Sequence, residues 1–158
     1  MNLTLRSGKE SDARPCGEIC WKAFSTISKK HNYPPDFPST EVAAEVIGAI
    51  LKRPEVYSVV AEVDGTIVGS NFLWEGDTIA GIGPITVDPG TQNGGVGRQL
   101  MENVLERTVR QGFAGVRLVQ AAYHSRSLSL YAKLGFVVRE PLATMQGTPL
   151  RATMPGHT

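Results

Sequence analysis

Three glycines in four positions, Gly94, Gly95 and Gly97, lie between a run ending in Ile85-Thr86-Val87-Asp88-Pro89 and an amphipathic stretch that continues to Leu105. Glycines at this density let the backbone turn tightly and leave several N–H groups bare. Where such a loop opens directly into a helix, those amides join the first-turn donors that lack intrahelical acceptors, and the helix dipole favours negative charge. The chemistry on offer is the binding of a phosphate or pyrophosphate group. No Lys-Ser or Lys-Thr pair follows the last glycine, as a P-loop would require. Asn93 and Leu100 stand where a dinucleotide fingerprint would need further glycines.

The second segment of interest is Leu130-Tyr131-Ala132-Lys133-Leu134-Gly135-Phe136. Piece by piece, Leu130 and Phe136 read as core, Gly135 as a helix cap and Tyr131 as a half-buried aromatic. Glu75 and Asp77 fall between two strands, and Glu62 falls in the strand before them. Most such carboxylates are solvated surface. Cys16 and Cys20 share one helix face, with no further cysteine and no nearby histidine. They read as free thiols packed in a core, and a metal site is not expected.

The elements that must position these residues follow from periodicity and punctuation. Leu3-Thr4-Leu5-Arg6 alternates as a first strand, and Ser11 or Asp12 is placed to cap a helix carrying Pro15 in its first turn. Cys16, Ile19, Cys20, Ala23, Phe24 and Ile27 give that helix a buried stripe to about Ser28. Prolines 34, 35 and 38 forbid a helix in the loop that follows. A second helix starts at Ser39, buries Val42, Val46, Ile47, Ile50 and Leu51, and ends before Pro54. Val56 to Val63, a tight turn at Asp64-Gly65, and Thr66 to Trp74 read as a hairpin. Thr78 to Val87 is a strand interrupted by Gly81, Gly83 and Pro84, which predicts a bulge or a splayed edge. The central helix runs from Gly95 or Val96 to Gln111, with Val96, Leu100, Met101, Val104, Leu105 and Val109 inward. Val116 to Ala121 reads as a strand, Ser125 to Leu134 as a short helix and Phe136 to Arg139 as a strand. Beyond Pro141 the periodicity is lost.

With 158 residues, 41% hydrophobic and 20% charged, the chain fits one soluble globular domain with its own core. A net charge of +1 offers no footprint for nucleic acid or an anionic membrane. No apolar run reaches the length of a membrane span, and no signal-peptide core is present, so a cytoplasmic location is expected.

The loop matches the pattern Gln/Arg-x-x-Gly-x-Gly/Ala through Gln92, Gly95 and Gly97, after a strand ending in Val-Asp-Pro. It resembles the coenzyme A pyrophosphate loop of the GNAT acetyltransferases, the GCN5-related N-acetyltransferase superfamily. The Leu-Tyr-x-Lys-x-Gly-Phe segment at Leu130 to Phe136 resembles the signature that closes the same site, and the element order agrees from Leu3 to about Leu142. The resemblance implies an α/β (α+β) fold: a mixed, mostly antiparallel twisted sheet of six or seven strands, splayed in the middle and flanked by about four helices. It places one domain over residues 1–145, with 146–158 as a last strand or a linker. It implies acetyl-CoA as donor, no metal, and transfer of the acetyl group to the primary amine of a small molecule by direct attack on the thioester. Gln92, Asn93, Gly94, Gly95, Val96, Gly97 and Arg98 would hold the pyrophosphate, and the backbone of Thr86 and Val87 would pair with the pantetheine arm as an added strand. Tyr131 would protonate the leaving thiolate, and Glu75 is the candidate for the base. The family often has Asn and Ala where this chain has His124 and Ser127, and both are expected to line the cofactor arm.

The acceptor side of the resemblance falls on Tyr33, Phe37, Trp74 and Asp77, an aromatic and acidic set suited to a cationic amine such as a polyamine or aminoglycoside. A non-catalytic acyl-CoA sensor and a protein or peptide N-acetyltransferase are the alternatives. An unfinished sheet edge would be completed by a homodimer partner or a tandem domain.

Overall fold

The computed structural model describes residues 2–92, 94–143 and 145. The strands are β1 (Leu3–Ser7), β2 (Val56–Val63), β3 (Thr66–Trp74), β4 (Ile79–Ile82), β5 (Thr86–Val87) and β6 (Gly115–Arg117). The helices are α1 (Ala13–Lys30), α2 (Thr40–Leu51), α3 (Val96–Gln111) and α4 (Ser125–Lys133). The sheet runs β1-β2-β3-β4-β6, and among the described residues β5 pairs only to β3. All pairings are antiparallel except β4 with β6.

Local chemistry explains most element ends. Asp64 and Gly65 have φ of 49° and 80°, the left-handed pair that a two-residue hairpin turn requires. Ser39 accepts the Val42 amide at the start of α2. Gly112, at φ 72°, ends α3. Alternation along β2 and β3 divides the core between two layers. Phe72 and Val60 pack on Cys16, Cys20, Ile47 and Ile50 of α1 and α2. Val59, Ala61 and Leu73 pack on Leu100, Met101 and Val104 of α3. Asn71 faces α3 as well and donates to the Leu100 carbonyl at 3.2 Å.

Five expectations need correction. Asp12 precedes α1, but its carboxylate turns back to the Lys9 amide and to Arg6, which bonds both its oxygens, so α1 begins from a single 3-10 turn without a side-chain cap. Val46 is exposed, and Ala43 takes its buried place in α2. Val109 is 81% exposed because Thr108, one position earlier, faces the core instead. The strand expected over 116–121 pairs only at 115–117, where β4 lies beside it. Phe136 to Arg139 forms no strand, and Val137 and Val138 are exposed. The tail expected as a last strand or a linker lies outside the described residues.

Burial pushes the Cys16 thiol up to about 11 and the Cys20 thiol to about 12. A thiol that stays protonated where α1 packs on α2 and the sheet is a poor nucleophile. Both should resist a thiol reagent at neutral pH in the folded protein and react fully in denaturant, as reagent absorbance would show.

Candidate active site

The interruption of the Thr78–Val87 strand expected from sequence, between β4 and β5, is where the site opens. Leu73 and Trp74 of β3 pair with Ile82 and Gly81, whereas Gly69 and Ser70 pair with Val87 and Thr86. Among the described residues β5 thus leaves β4 and β6 and keeps a partner on one side only. A Cβ at Gly69 would come within 2.6 Å of the Thr86 carbonyl oxygen, so glycine there permits the close approach of β5. The Asp88 amide donates to the Val68 carbonyl at 2.8 Å, so residues 86 and 88 turn their backbone groups toward β3. By the two-residue period of a strand, Val87 turns its N–H and C=O outward, to the open edge.

The loop after β5 is shaped by its own side chains. Asp88 accepts the Gly90 amide and the Lys22 ammonium, each at 2.7 Å. Burial opposes ionisation of this carboxyl, but Lys22 and the Gly90 amide outweigh it and hold it below its ordinary value. Gln92 donates to the Val87 carbonyl at 3.2 Å and accepts from Arg126 of α4 at 2.6 Å. Gly95 caps α3 at φ 80° and makes no side-chain cap hydrogen bond. A Cβ there would meet nothing within 4 Å, so it is the φ of 80°, and not a lack of space, that favours glycine. Val96 is buried, and Gly97 packs close to Leu130 and Val87, joining loop, strand and α4. Arg98 pairs with Glu102 at 2.8 Å. Asn93 lies outside the described residues.

Tyr131 is 7% exposed and belongs to the core cluster against which Val87 and Leu130 pack. Burial raises its phenol above the ordinary value, against an opposing hydrogen bond with Ser127. His124 occupies the cap position of α4, its Nδ1 accepting the Ser127 amide at 3.2 Å. Its imidazole is held below its ordinary value by burial, with Arg126 and His31 adding to the shift.

Glu75 is not brought to this place. Arg107 holds both carboxylate oxygens, and its guanidinium lies 4.2 Å from the centre of the Tyr57 ring. Arg107 is ten residues along α3 from Gly97, roughly 15 Å toward the other end of that helix. The four acceptor-side residues also separate. Tyr33 stacks on Tyr123 at 4.5 Å, with His31 on the same ring at 5.1 Å. Phe37 meets Phe24 edge-on at 5.7 Å within the α1–α2 core. Trp74 donates to the Gly83 carbonyl at 2.7 Å and carries Arg53 over its ring. Asp77 pairs with Arg117 at 3.0 Å, and Trp74 and Asp77 line a shallow cleft of about 360 Å³ with Ile79 and Gly81. Sequence reading missed Tyr123, Arg126 and Gly69. Nothing in spacing marks the first two, but a glycine inside an otherwise apolar strand was a signal of close backbone approach.

No helix among the described residues is long and apolar enough to cross a membrane. Among the same residues, no group of three or more His, Cys, Asp or Glu side chains is arranged to hold a metal ion.

Comparison with known proteins agrees with this geometry. A model of the acetyltransferase (GNAT) family matches residues 18–136. An IAA acetyltransferase from Azospirillum brasilense is 30% identical over 107 residues, which is 66% of this chain and 69% of that protein. Among solved structures, the PaiA N-acetyltransferase of Thermoplasma acidophilum in complex with coenzyme A matches with a TM-score of 0.76 at 18% identity, over 89% of this chain and 93% of that one. An aminoglycoside N-acetyltransferase in complex with CoA matches with a TM-score of 0.71 at 15% identity, over 92% and 95%. The two structural likenesses speak for the fold, and the sequence matches carry descent: this chain is a member of the GNAT family and an acyltransferase of its kind.

Proposed function

We propose that this protein moves the acetyl group of acetyl-CoA to the primary amine of a small cationic molecule. The observation that carries the reading is the Val87 amide at the open edge of β5, within the cluster that buries Tyr131. The residues fit the donor. The first turn of α3, which has no side-chain cap from Gly95, would offer its amides to a pyrophosphate. Arg126, bonded to Gln92, brings a cation beside the same loop. Main-chain pairing along β5 would hold an extended arm as a further strand, with Val87 rather than Thr86 facing it.

When bound, acetyl-CoA supplies a thioester whose carbonyl carbon accepts a neutral amine directly. The protein positions the reactants, which by itself removes much of the barrier. The Val87 N–H stabilises charge developing on the carbonyl oxygen. Tyr131, protonated at neutral pH as any phenol is and raised further by burial, gives its proton to the departing sulfur and recovers one from solvent. Glu75, the base candidate from the sequence, has both oxygens on Arg107, so the ammonium proton is better taken by water. His31, Tyr33 and Tyr123 present stacked aromatic surface near Asp36, chemistry suited to a cation. The likeness to an aminoglycoside N-acetyltransferase agrees with such an acceptor.

Titration calorimetry should show one acetyl-CoA bound per chain. Thiol release over a panel of polyamines, aminoglycosides and neutral amines should show turnover with a cationic member. No uptake of acetyl-CoA or free CoA overturns the reading. Turnover confined to neutral amines overturns the acceptor class alone.

A further inference from the structure

Two hydrogen bonds bridge the opening between β5 and α4. Gln92 Nε2 donates to the Val87 carbonyl at 3.2 Å, and Gln92 Oε1 accepts from Arg126 Nη1 at 2.6 Å. The neighbours fix which way the carboxamide points. A guanidinium only donates and a carbonyl only accepts, so the oxygen must face Arg126 and the nitrogen must face Val87. The bond to Val87 is neutral and at the long end of the normal range, whereas the bond from Arg126 is short and assisted by charge. The Val87 carbonyl points away from β3, because it is the Asp88 amide that bonds β3, at the Val68 carbonyl. This acceptor therefore lies on the open edge, and in this structure the Gln92 side chain takes it.

We propose that Gln92 stands in for the arm of the donor: acetyl-CoA has to displace the Gln92 carboxamide from the Val87 carbonyl before an arm amide can pair there. The inference rests on the reading of β5 as the edge that holds the arm. An amide N–H of an extended arm would reach the same oxygen from the same side, with the same chemistry as the carboxamide N–H that it replaces. Exchanging one neutral N–H···O bond for another gains little, so Gln92 lowers what this pairing adds to donor affinity. Anchoring the loop does not account for the contact. Asp88 already holds it to the end of β5, its carboxylate taking the Gly90 amide and its carbonyl the Thr91 amide and hydroxyl. The Arg126 bond ties the loop to α4 without any need for Val87. What the Val87 contact does is fill the one strand-edge acceptor that the arm requires.

Two substitutions test this. Gln92→Met keeps the length of the side chain and loses both bonds, whereas Gln92→Glu keeps an oxygen for Arg126 and loses only the donor toward Val87. Coenzyme A is titrated by calorimetry, and its 3′-phospho-ADP half, which carries the phosphates without the arm, by displacement of coenzyme A. The ratio of the two affinities isolates the arm, since the added charge of Gln92→Glu weighs on both ligands alike. That ratio should rise about fivefold in both variants, the worth of one ordinary hydrogen bond. The contact is also read without ligand. Carbon-13 at valine carbonyls with nitrogen-15 in aspartate selects Val63-Asp64 and Val87-Asp88, the two Val-Asp pairs in the chain. The Val87 carbonyl signal should move in both variants while that of Val63 stays. With coenzyme A bound, an affinity ratio that is unchanged or falls overturns the proposal and leaves the donor reading standing. A Val87 signal that does not move overturns it as well. No uptake of coenzyme A by the parent or either variant removes the donor reading, and the proposal with it.

Discussion

Tyr131→Phe should lower kcat for acetyl transfer about 100-fold while the affinity for acetyl-CoA changes less than about twofold. The substitution removes one oxygen from a ring that stays packed, so the cluster around Val87 and Leu130 keeps its shape. What is lost is the only buried phenol among the described residues, and with it, on the proposed reading, the proton for the departing thiolate. A 100-fold loss corresponds to about 2.7 kcal/mol at the transition state, within the ordinary range for a general acid. A phenol is already protonated at neutral pH, and burial raises Tyr131 further. Activity that needs it therefore persists there and declines only as pH rises through that elevated value. Saturation kinetics with titration of donor binding checks both halves. Equal losses in binding and in kcat would mark Tyr131 as packing rather than chemistry.

Gly17→Ala should be the most damaging small substitution in the helical layer. A Cβ at Gly17 would sit 2.3 Å from the Ala44 Cα and 2.6 Å from its nitrogen. Both atoms are backbone, so no rotamer change relieves the clash and α1 must move away from α2. Alanine in a helix gains up to about 1 kcal/mol over glycine, while overpacking a close contact costs about 1–3 kcal/mol and sometimes more. Here the second effect wins, because two backbone atoms are struck at once. A net loss of about 2 kcal/mol would lower Tm by about 4–8 °C in a chain of this size. Thermal unfolding followed by circular dichroism measures it, and a Tm within a degree of the parent would show that the helices are less tightly apposed. Cys16 and Cys20 report on the same event, since they lose their cover as α1 separates.

Much of the molecule was legible without coordinates. The hairpin of β2 and β3, the break after Ile82, the loop into α3 and the start of α2 at Ser39 all came from residues close together in the chain. Their causes are local: alternation of side chains, positive φ at a two-residue turn, and orphan amides at a helix start. The ends of β6 and the absence of pairing at Phe136 to Arg139 were not legible. A strand exists only where a neighbour supplies hydrogen bonds, and β-branched residues do not say whether one is present.

The amino-acid order by itself therefore determined the element types, the glycine loop and the place of Tyr131 within its helix. Only the tertiary structure decided which side chains meet across the sheet. Arg107 takes Glu75 from 32 residues away, Arg126 takes Gln92 from 34, and Tyr123 stacks with both Tyr33 and His31. A carboxylate between two strands looks the same in sequence whether it faces a substrate or a guanidinium. Charge and polarity are written in the residue, but its partner is chosen by the geometry of everything packed around it.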